Sequence, residues 1–345
     1  MSGDASTDDV QGDTASMGDT PIGTDAPRTD TPATGDTGPA DSGPPSGNVD
    51  PNCTDGRYME TLPNTSASIS DVTFNASMLG AYYDAVLGRR YPNGSTLIHG
   101  GQMNTSFGDC VMLFSGNPST AQAAISSLDT VVHECGHLYD MQLGQGTGGN
   151  VYFFTDATRF SCMRGDTTSR GGDTFARSLI RNDSYSASYP ACNGATTGNC
   201  DSYADIYLDG NPTDTTFDSG DQGFNMLLEE DVQYVNSLAT AWAFVNQQPA
   251  GRRTSARDGI LNFLWYVERY LHMARTTYPQ AYMRLSTDAC WRDAILTLWG
   301  RAWLYLQATE GMTALGINDT RLMGLVTNPE LLDEIARIRS AAGCM

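Results

Sequence analysis

Two histidines four residues apart form the part of this sequence with the clearest chemistry. His133 and His137 flank Glu134 in the order H-E-x-x-H, and they are two of only four histidines among 345 residues. On a helix, side chains at i and i+4 lie on one face about one turn apart, so both imidazoles could bind one cation. Glu134 would then lie beside a water on that cation and could accept its proton. These residues predict a metal centre with its own general base.

The residues before the motif predict the helix that this geometry requires. Between Ala121 and Cys135, apolar residues recur every three or four positions, which is the period of an α-helix. A second, polar stripe carries both histidines and fits a helix that lines a cleft. A surface helix with two unrelated histidines is the alternative interpretation. The polar stripe consists of Gln122, Ser126, Asp129, His133 and His137.

The composition excludes several classes of partner. With 20 basic and 40 acidic residues, the chain has a net charge of -20 and a pI near 4.3. Nucleic acids and anionic membrane surfaces both require a basic face, so we expect neither as a partner. No apolar run reaches the length of about 20 residues that crosses a bilayer, which argues against a transmembrane segment. A monomer is the expected oligomeric state.

Residues 1–50 form a region of their own. They consist mainly of Asp, Thr, Gly, Ser, Pro and Ala, with almost no large apolar side chains. Such a segment buries too little surface to offset its ordering entropy, so we expect a disordered acidic linker. A calcium-binding tail is disfavoured because the aspartates lack the spacing of a ligand loop. We further expect that an export signal has been removed ahead of this linker, and that the linker tethers the protein to a cell surface or envelope.

The eight cysteines predict disulfide bonds. Exported proteins keep disulfides, and because there is no C-x-x-C pair, a thiolate metal site or redox motif is unsupported. Cys135, on the apolar side of the motif helix, is interpreted as a core residue or as a disulfide partner of Cys162, not as a nucleophile. Cys192 and Cys200 bracket a short polar loop and form the best local pair. The other predicted pairs are Cys290 with Cys344 and Cys53 with Cys110.

Residues 51–345 are numerous enough for one large or two modest domains; we interpret them as one domain with an α+β fold. A helix and two short apolar runs precede the motif helix, and from about residue 256 the chain is strongly helical. We divide the domain into an N-terminal sub-domain of about 54–155, a polar insertion of about 156–222 and a helical lobe of about 223–345. The elements predicted ahead of the lobe, besides the motif helix, are a helix at 77–88 and strands at 95–99, 110–115 and 151–155.

This order, a small sheet followed by the H-E-x-x-H helix, resembles the N-terminal half of the zincin metallopeptidases. The resemblance covers the helix and its flanking strands. It implies zinc held by His133 and His137, a small mixed sheet packed on the motif helix, and a third ligand from elsewhere in the chain. In metzincins the third ligand is a histidine soon after the motif. The next histidine here is His272, which we interpret as a core or interhelical residue.

In the gluzincin branch the third ligand is a glutamate on a later helix. This chain has eight glutamates, and two of them lie near the start of a helix predicted at 225–245. On a 3.6-residue period Glu230 falls on the apolar face, where a carboxylate needs a partner such as zinc. Glu229 shares a face with Gln233 and Asn236. Glu230 is therefore the predicted ligand and Glu229 the second choice, while a solvated acidic first turn is the alternative.

The motif also resembles the longer form H-E-x-G-H-x-x-D of lethal-factor-type gluzincins, which Gly136 and Asp140 match. The resemblance implies that Asp140 orients a ligand imidazole through its other nitrogen. The context Glu230-Asp231-Val232 is also similar to that of their third ligand. Those enzymes carry a tyrosine seven residues before this glutamate, whereas this chain has Gly223 there. The candidates for stabilising the oxyanion are Tyr203, Tyr207 and Tyr234, of which we select Tyr207 and Tyr234.

The polar insertion contains a dense run of aspartates. In a zincin this insertion would pass beside the cleft and shape substrate choice, as loops on a rigid scaffold do. The density of hard oxygen ligands is compatible with a structural calcium ion. However, the spacing does not match an EF-hand loop. An ordinary acidic loop is therefore the stronger interpretation. The aspartates are Asp209, Asp214, Asp218 and Asp221.

The residues and the resemblance together predict a zinc metalloendopeptidase that cleaves a protein or peptide. Zinc held by His133, His137 and Glu230 would lower the pKa of its water, Glu134 would accept the proton, and hydroxide would attack a peptide carbonyl. An exported binding or adhesion protein on an inactive zincin scaffold is the main alternative. A structural protein in which the motif is accidental is a third.

Overall fold

The computed structural model describes residues 52–165, 173–195, 199–210 and 222–344. Within these ranges the chain is mainly helical and contains a two-stranded antiparallel sheet, so the fold is α+β. The helices are α1 (Leu79–Arg90), α2 (Pro92–Gln102), α3 (Cys110–Phe114), α4 (Ala121–Gly144), α5 (Ala204–Tyr207), α6 (Phe224–Ala243), α7 (Ala256–Thr277), α8 (Pro279–Thr287), α9 (Ala289–Ala308), α10 (Asp319–Val326) and α11 (Pro329–Ala341). The strands are β1 (Gly149–Thr155) and β2 (Thr158–Met163).

The predicted motif helix is confirmed as α4. Thr120 precedes it, and the Thr120 hydroxyl accepts a hydrogen bond from the Ala123 backbone N–H at 3.1 Å. This N-cap satisfies one of the free donors of the first turn. The apolar stripe of α4 is buried in the core. Helix α2 packs closely on it through glycine, because a Cβ on Gly101 would lie 2.4 Å from the Cys135 carbonyl oxygen.

The strands predicted at 95–99 and 110–115 are wrong, since α2 and α3 occupy these segments. Pro92 lies in the first turn of α2, where its missing N–H removes no helical hydrogen bond. Asp109 caps α3 by accepting a hydrogen bond from the Val111 N–H at 3.0 Å. Short apolar runs look alike in buried helices and strands. Here the caps and the packing on α4 favour the helix.

The strand predicted at 151–155 is confirmed as part of β1. It pairs with β2 in antiparallel register, from Gly149 opposite Met163 to Thr155 opposite Thr158. The expected mixed sheet is therefore wrong: these two strands form an antiparallel hairpin, and β2 lies inside the predicted insertion. The sheet does pack on the motif helix, because Asp140 of α4 accepts a hydrogen bond from the Phe153 N–H at 2.9 Å.

Helices α4 and α6 lie side by side in opposite directions. Ser126, near the start of α4, contacts Gln248 beyond the end of α6, whereas Asp140, near the end of α4, contacts Gln233 near the start of α6. The predicted helix at 225–245 is confirmed as α6. Helix α7 covers another side of α6, where Gly259 makes room for an aromatic ring.

The described residues from 223 onward are mainly helical, as predicted, and contain α6 to α11. Asp288 caps α9 and Asn328 caps α11, each by accepting backbone N–H hydrogen bonds. His272 of α7 lies 3.0 Å from the Glu334 carboxylate of α11, measured from Nδ1 to Oε1. The interpretation of His272 as an interhelical residue is therefore confirmed.

Four disulfides join all eight cysteines, which indicates an oxidising environment. The local pair Cys192–Cys200 is confirmed. The predicted pairs Cys290–Cys344, Cys53–Cys110 and Cys135–Cys162 are wrong. The cysteines of one pair are 291 residues apart in the sequence. They become neighbours only when the helices pack together. The observed pairs are Cys53–Cys344, Cys110–Cys135 and Cys162–Cys290.

Two predicted regions lie outside the described residues. These are the linker at 1–50 and, in the acidic run, Asp214, Asp218 and Asp221. Asp209 is described and exposed. Within the described ranges, no helix combines the length and the apolar character needed to cross a bilayer.

Candidate metal centre

The three predicted ligands meet between α4 and α6. His133 and His137 direct their Nε2 atoms toward the Glu230 carboxylate. Glu230 Oε2 lies 3.5 Å from His133 Nε2 and 3.6 Å from His137 Nε2. Among the described residues, this is the one group of three His, Cys, Asp or Glu side chains whose ligand atoms are close enough to share a metal ion.

The spacing of these atoms fits a bound cation. Ligands at bond lengths of about 2.1 Å around a tetrahedral ion are about 3.4 Å apart, close to both distances. Glu230 Oε2 is buried and has no hydrogen-bond partner within the described part of the chain. Such an oxygen costs free energy unless a cation or a proton satisfies it. Two imidazole nitrogens and one carboxylate oxygen suit zinc and leave a fourth position open.

Glu229 orients one of the proposed ligands. Its Oε2 lies 2.5 Å from Nδ1 of His137, whereas Nε2 of the same ring faces Glu230. A carboxylate at this place accepts the Nδ1 proton and so fixes the tautomer in which Nε2 can bind a metal. Glu229 and Glu230 are each 8% exposed, which excludes the solvated first turn. The geometry favours Glu230 over Glu229 as the ligand.

Asp140 does not contact a histidine as the resemblance implied. One carboxylate oxygen accepts a hydrogen bond from the Phe153 N–H at 2.9 Å, and the other from Gln233 Nε2 at 3.1 Å. Gln233 Nε2 also donates to Glu229 at 3.2 Å. The Asp140 side chain is thus turned toward the hairpin and α6. The hydrogen bonds that connect it to His137 run through Gln233 and Glu229.

A hydroxyl partner of His133 was missed by the sequence analysis. Ser237 Oγ lies 3.1 Å from Nδ1 of His133 and 3.5 Å from the Asp129 carbonyl oxygen. When the hydroxyl donates to this carbonyl, it accepts the Nδ1 proton of His133, so Nε2 is again left for a metal. Ser237 follows Glu230 by two helical turns and lies on the same face of α6, a periodicity that could have revealed it.

The motif glycine allows α6 to approach the histidines. A Cβ on Gly136 would lie 2.0 Å from Gln233 Oε1, so only glycine fits there without moving Gln233. The neighbouring Cys135 points to another side of α4 and is bonded to Cys110 of α3. The H-E-C-G-H segment is thus held by a disulfide while its glycine admits α6.

The acidic residues change the proton affinity of the centre. Burial alone would lower the pKa of His137, but the charges of Glu229 and Glu230 outweigh it and raise the pKa well above its usual value. Burial alone would raise the pKa of Glu230, but His137 and His133 hold it below its usual value. Glu134 is half-buried and adds to the negative potential at His137. These groups together favour a positive charge between them.

The two selected tyrosines meet beside the histidines. Tyr207 Oη and Tyr234 Oη are 2.9 Å apart, and the centroid of the Tyr234 ring lies 4.7 Å from that of His133. Burial raises the pKa of both hydroxyls well above 10, and the charge of Glu230 adds to the effect. Both therefore keep their protons at neutral pH and can donate a hydrogen bond. Tyr203, the third candidate, packs against both rings.

The segment that carries Tyr207 is fixed by a buried carboxylate. Asp201 accepts hydrogen bonds from the Ala204 N–H at 3.1 Å, from Asn262 Nδ2 at 2.9 Å and from Tyr266 Oη at 2.5 Å. Asn262 and Tyr266 belong to α7, so this carboxylate attaches α5 to the helical lobe. The Cys192–Cys200 disulfide ends one residue before Asp201.

No protein-family model matches this chain, and neither a curated protein nor a solved structure is significantly similar to it. The residues of the centre and the distances between them are therefore the basis for a functional interpretation.

Proposed function

We propose that this protein is a zincin-like zinc metallopeptidase with His133, His137 and Glu230 as its metal ligands. The buried oxygen of Glu230 carries the proposal. It faces Nε2 of both histidines at 3.5 and 3.6 Å, and no hydrogen bond from the described residues satisfies it. Glu134 stands next to His133, where the H-E-x-x-H motif places the general base of a metallopeptidase.

A zinc ion bound there supplies a Lewis acid and a water of lowered pKa. Glu134 is half-buried, and its charge acts on His137. It accepts the proton of the attacking water and returns it to the amine nitrogen when the C–N bond breaks. Glu134 thus ends each turnover in the state in which it began.

Tyr207 and Tyr234 supply hydrogen bonding to the carbonyl oxygen as it becomes negatively charged. Their hydroxyls are 2.9 Å apart, so the two side chains form one hydrogen-bonded pair beside the histidines. A donor held in place before the reaction needs no reorganisation, which is why such groups lower the barrier. The pair replaces the tyrosine that lethal-factor-type gluzincins carry where this chain has Gly223.

The setting of the activity is inferred from the disulfides. All eight cysteines are paired, as in proteins of the extracellular space, the periplasm or the cell surface. We infer that the protein acts there on a protein or peptide, attached through residues 1–50.

Metal content and cleavage, measured on the same samples, test the proposal. Wild-type protein dialysed against trace zinc should retain about one zinc per chain and should cleave members of a mixed peptide library, as detected by mass spectrometry, until a chelator is added. His133→Ala should lose the zinc. Glu134→Gln should keep the zinc and lose the cleavage. Undiminished zinc in His133→Ala, or cleavage by Glu134→Gln at the wild-type rate, would contradict the assignment.

A further inference from the structure

A buried arginine of α9 is connected to the metal centre by hydrogen bonds. Arg301 is 0% exposed, and its Nη2 donates to Asn236 Oδ1 at 2.9 Å. Asn236 Nδ2 donates to Gln233 Oε1 at 2.9 Å, and Gln233 Nε2 donates to Glu229 Oε1 at 3.2 Å. Glu229 in turn contacts Nδ1 of His137. Three side chains therefore connect Arg301 to a proposed metal ligand.

Arg301 is a donor at one end of this series, and the carboxylates of Glu229 and Asp140 are acceptors at the other end. A guanidinium group can only donate, so Asn236 must turn its oxygen to Arg301 and its NH2 to Gln233. Gln233 must then turn its oxygen to Asn236 and its NH2 to Glu229. Both oxygens of Glu229 act as acceptors, so Nδ1 of His137 carries a proton. The Nε2 lone pair of His137 is left for a metal.

Arg301 is held in place by a glutamate from the start of the described chain. Glu60 Oε2 accepts a hydrogen bond from Arg301 Nε at 2.7 Å. The hydroxyls of Tyr58 and Tyr305 donate to the same carboxylate. The Glu60 side chain is 7% exposed and that of Arg301 0%, so the two charges neutralise each other inside the protein. Arg301 without this partner would be a buried unpaired charge.

Residues 52–60, here named the N-terminal strap, are attached to the C-terminal helices at two further places. Asp55 pairs with Arg339 of α11 at 2.6 Å, and Cys53 is bonded to Cys344. The strap lies directly on α9, because a Cβ on Gly300 would be 2.8 Å from Asp55 Cα. The Asp55–Arg339 pair fastens the strap but has no bond to the amide series, so it offers a matched control.

We propose that Arg301, neutralised by Glu60, is a positioning residue of the metal centre: through Asn236 and Gln233 it helps to hold the Glu229 carboxylate on Nδ1 of His137. The N-terminal strap is then part of the metal site although it contributes no ligand. This inference rests on the proposed function in one respect, that the two histidines bind zinc.

Zinc affinities of two matched arginine variants test the proposal. Arg301→Gln removes the guanidinium donor that holds Asn236, while Glu60 keeps both tyrosine donors. Arg339→Gln removes the other ion pair of the strap. Competition against a chromophoric chelator should show an affinity lowered between roughly 2-fold and 30-fold in Arg301→Gln and unchanged in Arg339→Gln. Wild-type affinity in Arg301→Gln, or an equal loss in both variants, would overturn the proposal.

A double-variant cycle tests the route of the effect. Glu229→Gln should weaken zinc binding because His137 loses its acceptor. If Arg301 acts through Glu229, then Arg301→Gln causes no further loss in the Glu229→Gln background. Losses that multiply would show that Arg301 acts by another route and would overturn the proposal. Should circular dichroism show that Arg301→Gln does not fold, the isosteric Glu60→Gln replaces it with the same expectations.

The protonation of His137 gives a readout that a purely structural role would not move. The chain has four histidines, so long-range ¹⁵N–¹H spectra of the zinc-loaded protein can be assigned. The wild type should show Nδ1 of His137 protonated and Nε2 bound to zinc, and in Arg301→Gln the Nδ1 proton resonance should shift because its hydrogen bond to Glu229 is weakened. An identical His137 spectrum in both would overturn the proposal. A wild type that binds no zinc would instead refute the proposed function itself.

Discussion

Gly136 of the H-E-C-G-H motif and Gln233 of α6 are in direct contact, because a Cβ on Gly136 would lie only 2.0 Å from Gln233 Oε1. The Gln233 amide is hydrogen-bonded to Asn236, Asp140 and Glu229, so it cannot turn away without breaking buried bonds. The glycine of the motif is therefore required by the hydrogen-bonded side chains beside the candidate metal centre, and not by the backbone conformation of α4.

Gly136→Ala should destabilise the protein and weaken zinc binding together. Forcing a methyl group into a packed interior costs about 1–3 kcal/mol, and the displaced Gln233 no longer holds Glu229. Gly88→Ala is the matched control: it lies in α1 and its Cβ would meet nothing within 4 Å. Urea denaturation and zinc titration of both variants test this. If Gly136→Ala behaved like Gly88→Ala in both measurements, the contact with Gln233 would have no importance.

Substitution of the two adjacent glutamates should separate the metal ligand from its neighbour. Glu230→Gln is expected to abolish zinc retention after dialysis, because it removes a ligand. Glu229→Gln is expected to keep zinc with an affinity lowered about 10- to 100-fold, because it removes only the partner of His137. The exposed Glu310→Gln serves as control. The reverse order, with zinc lost in Glu229→Gln and kept in Glu230→Gln, would make Glu229 the ligand.

Removing the tyrosine hydroxyls should slow cleavage without releasing the metal. For Tyr207→Phe we expect kcat to fall by about 100-fold, the usual effect of losing an oxyanion donor, with an unchanged zinc content. Tyr203→Phe is the control, since the Tyr203 hydroxyl lies 3.5 Å from the Ser255 carbonyl oxygen and the ring packing is kept. Steady-state kinetics on one peptide, with metal analysis of each sample, provide the measurement. An unchanged kcat in Tyr207→Phe would remove this hydroxyl from the mechanism.

A buried aspartate of α7 should make stability depend on pH. Asp258 is 3% exposed, and burial raises its pKa from 3.8 to about 6, although the Ile317 and Asn318 N–H groups donate to it. Because the folded state holds this proton more tightly than the unfolded state, the free energy of unfolding falls as the pH rises through this range.

Between pH 5 and pH 7.5 this loss amounts to roughly 1.4 kcal/mol. Asp258→Asn should remove it, so the variant should lose less stability than the wild type over the same interval. Urea denaturation of both proteins at the two pH values gives the comparison. Parallel pH dependence in wild type and variant would show that Asp258 does not titrate in this range.

The sequence could predict those site residues whose pattern lies within a single helix. His133, Glu134 and His137 follow from local spacing alone, and Glu230 from the apolar face of α6. The grouping of Glu229 with Gln233 and Asn236 on another face also follows from periodicity, and these three side chains do form one hydrogen-bonded series.

The remaining features depend on packing between distant segments. Nothing local connects Glu60 with Arg301, or Cys53 with Cys344, because these contacts form only when the helices assemble. The segments 95–99 and 110–115 were assigned to strands because short apolar runs carry no clear period. The role implied for Asp140 belongs to Glu229, since the Asp140 side chain is turned toward Phe153. Tertiary contacts decide which neighbouring element a helical side chain faces.

The most direct test of the account is a crystal structure of the zinc-loaded protein with data collected at the zinc absorption edge. We predict one anomalous peak between α4 and α6, within about 2.2 Å of Nε2 of His133, Nε2 of His137 and a carboxylate oxygen of Glu230. Glu229 should remain on Nδ1 of His137. No zinc at this position, or zinc bound to Glu229 with Glu230 turned away, would contradict the account.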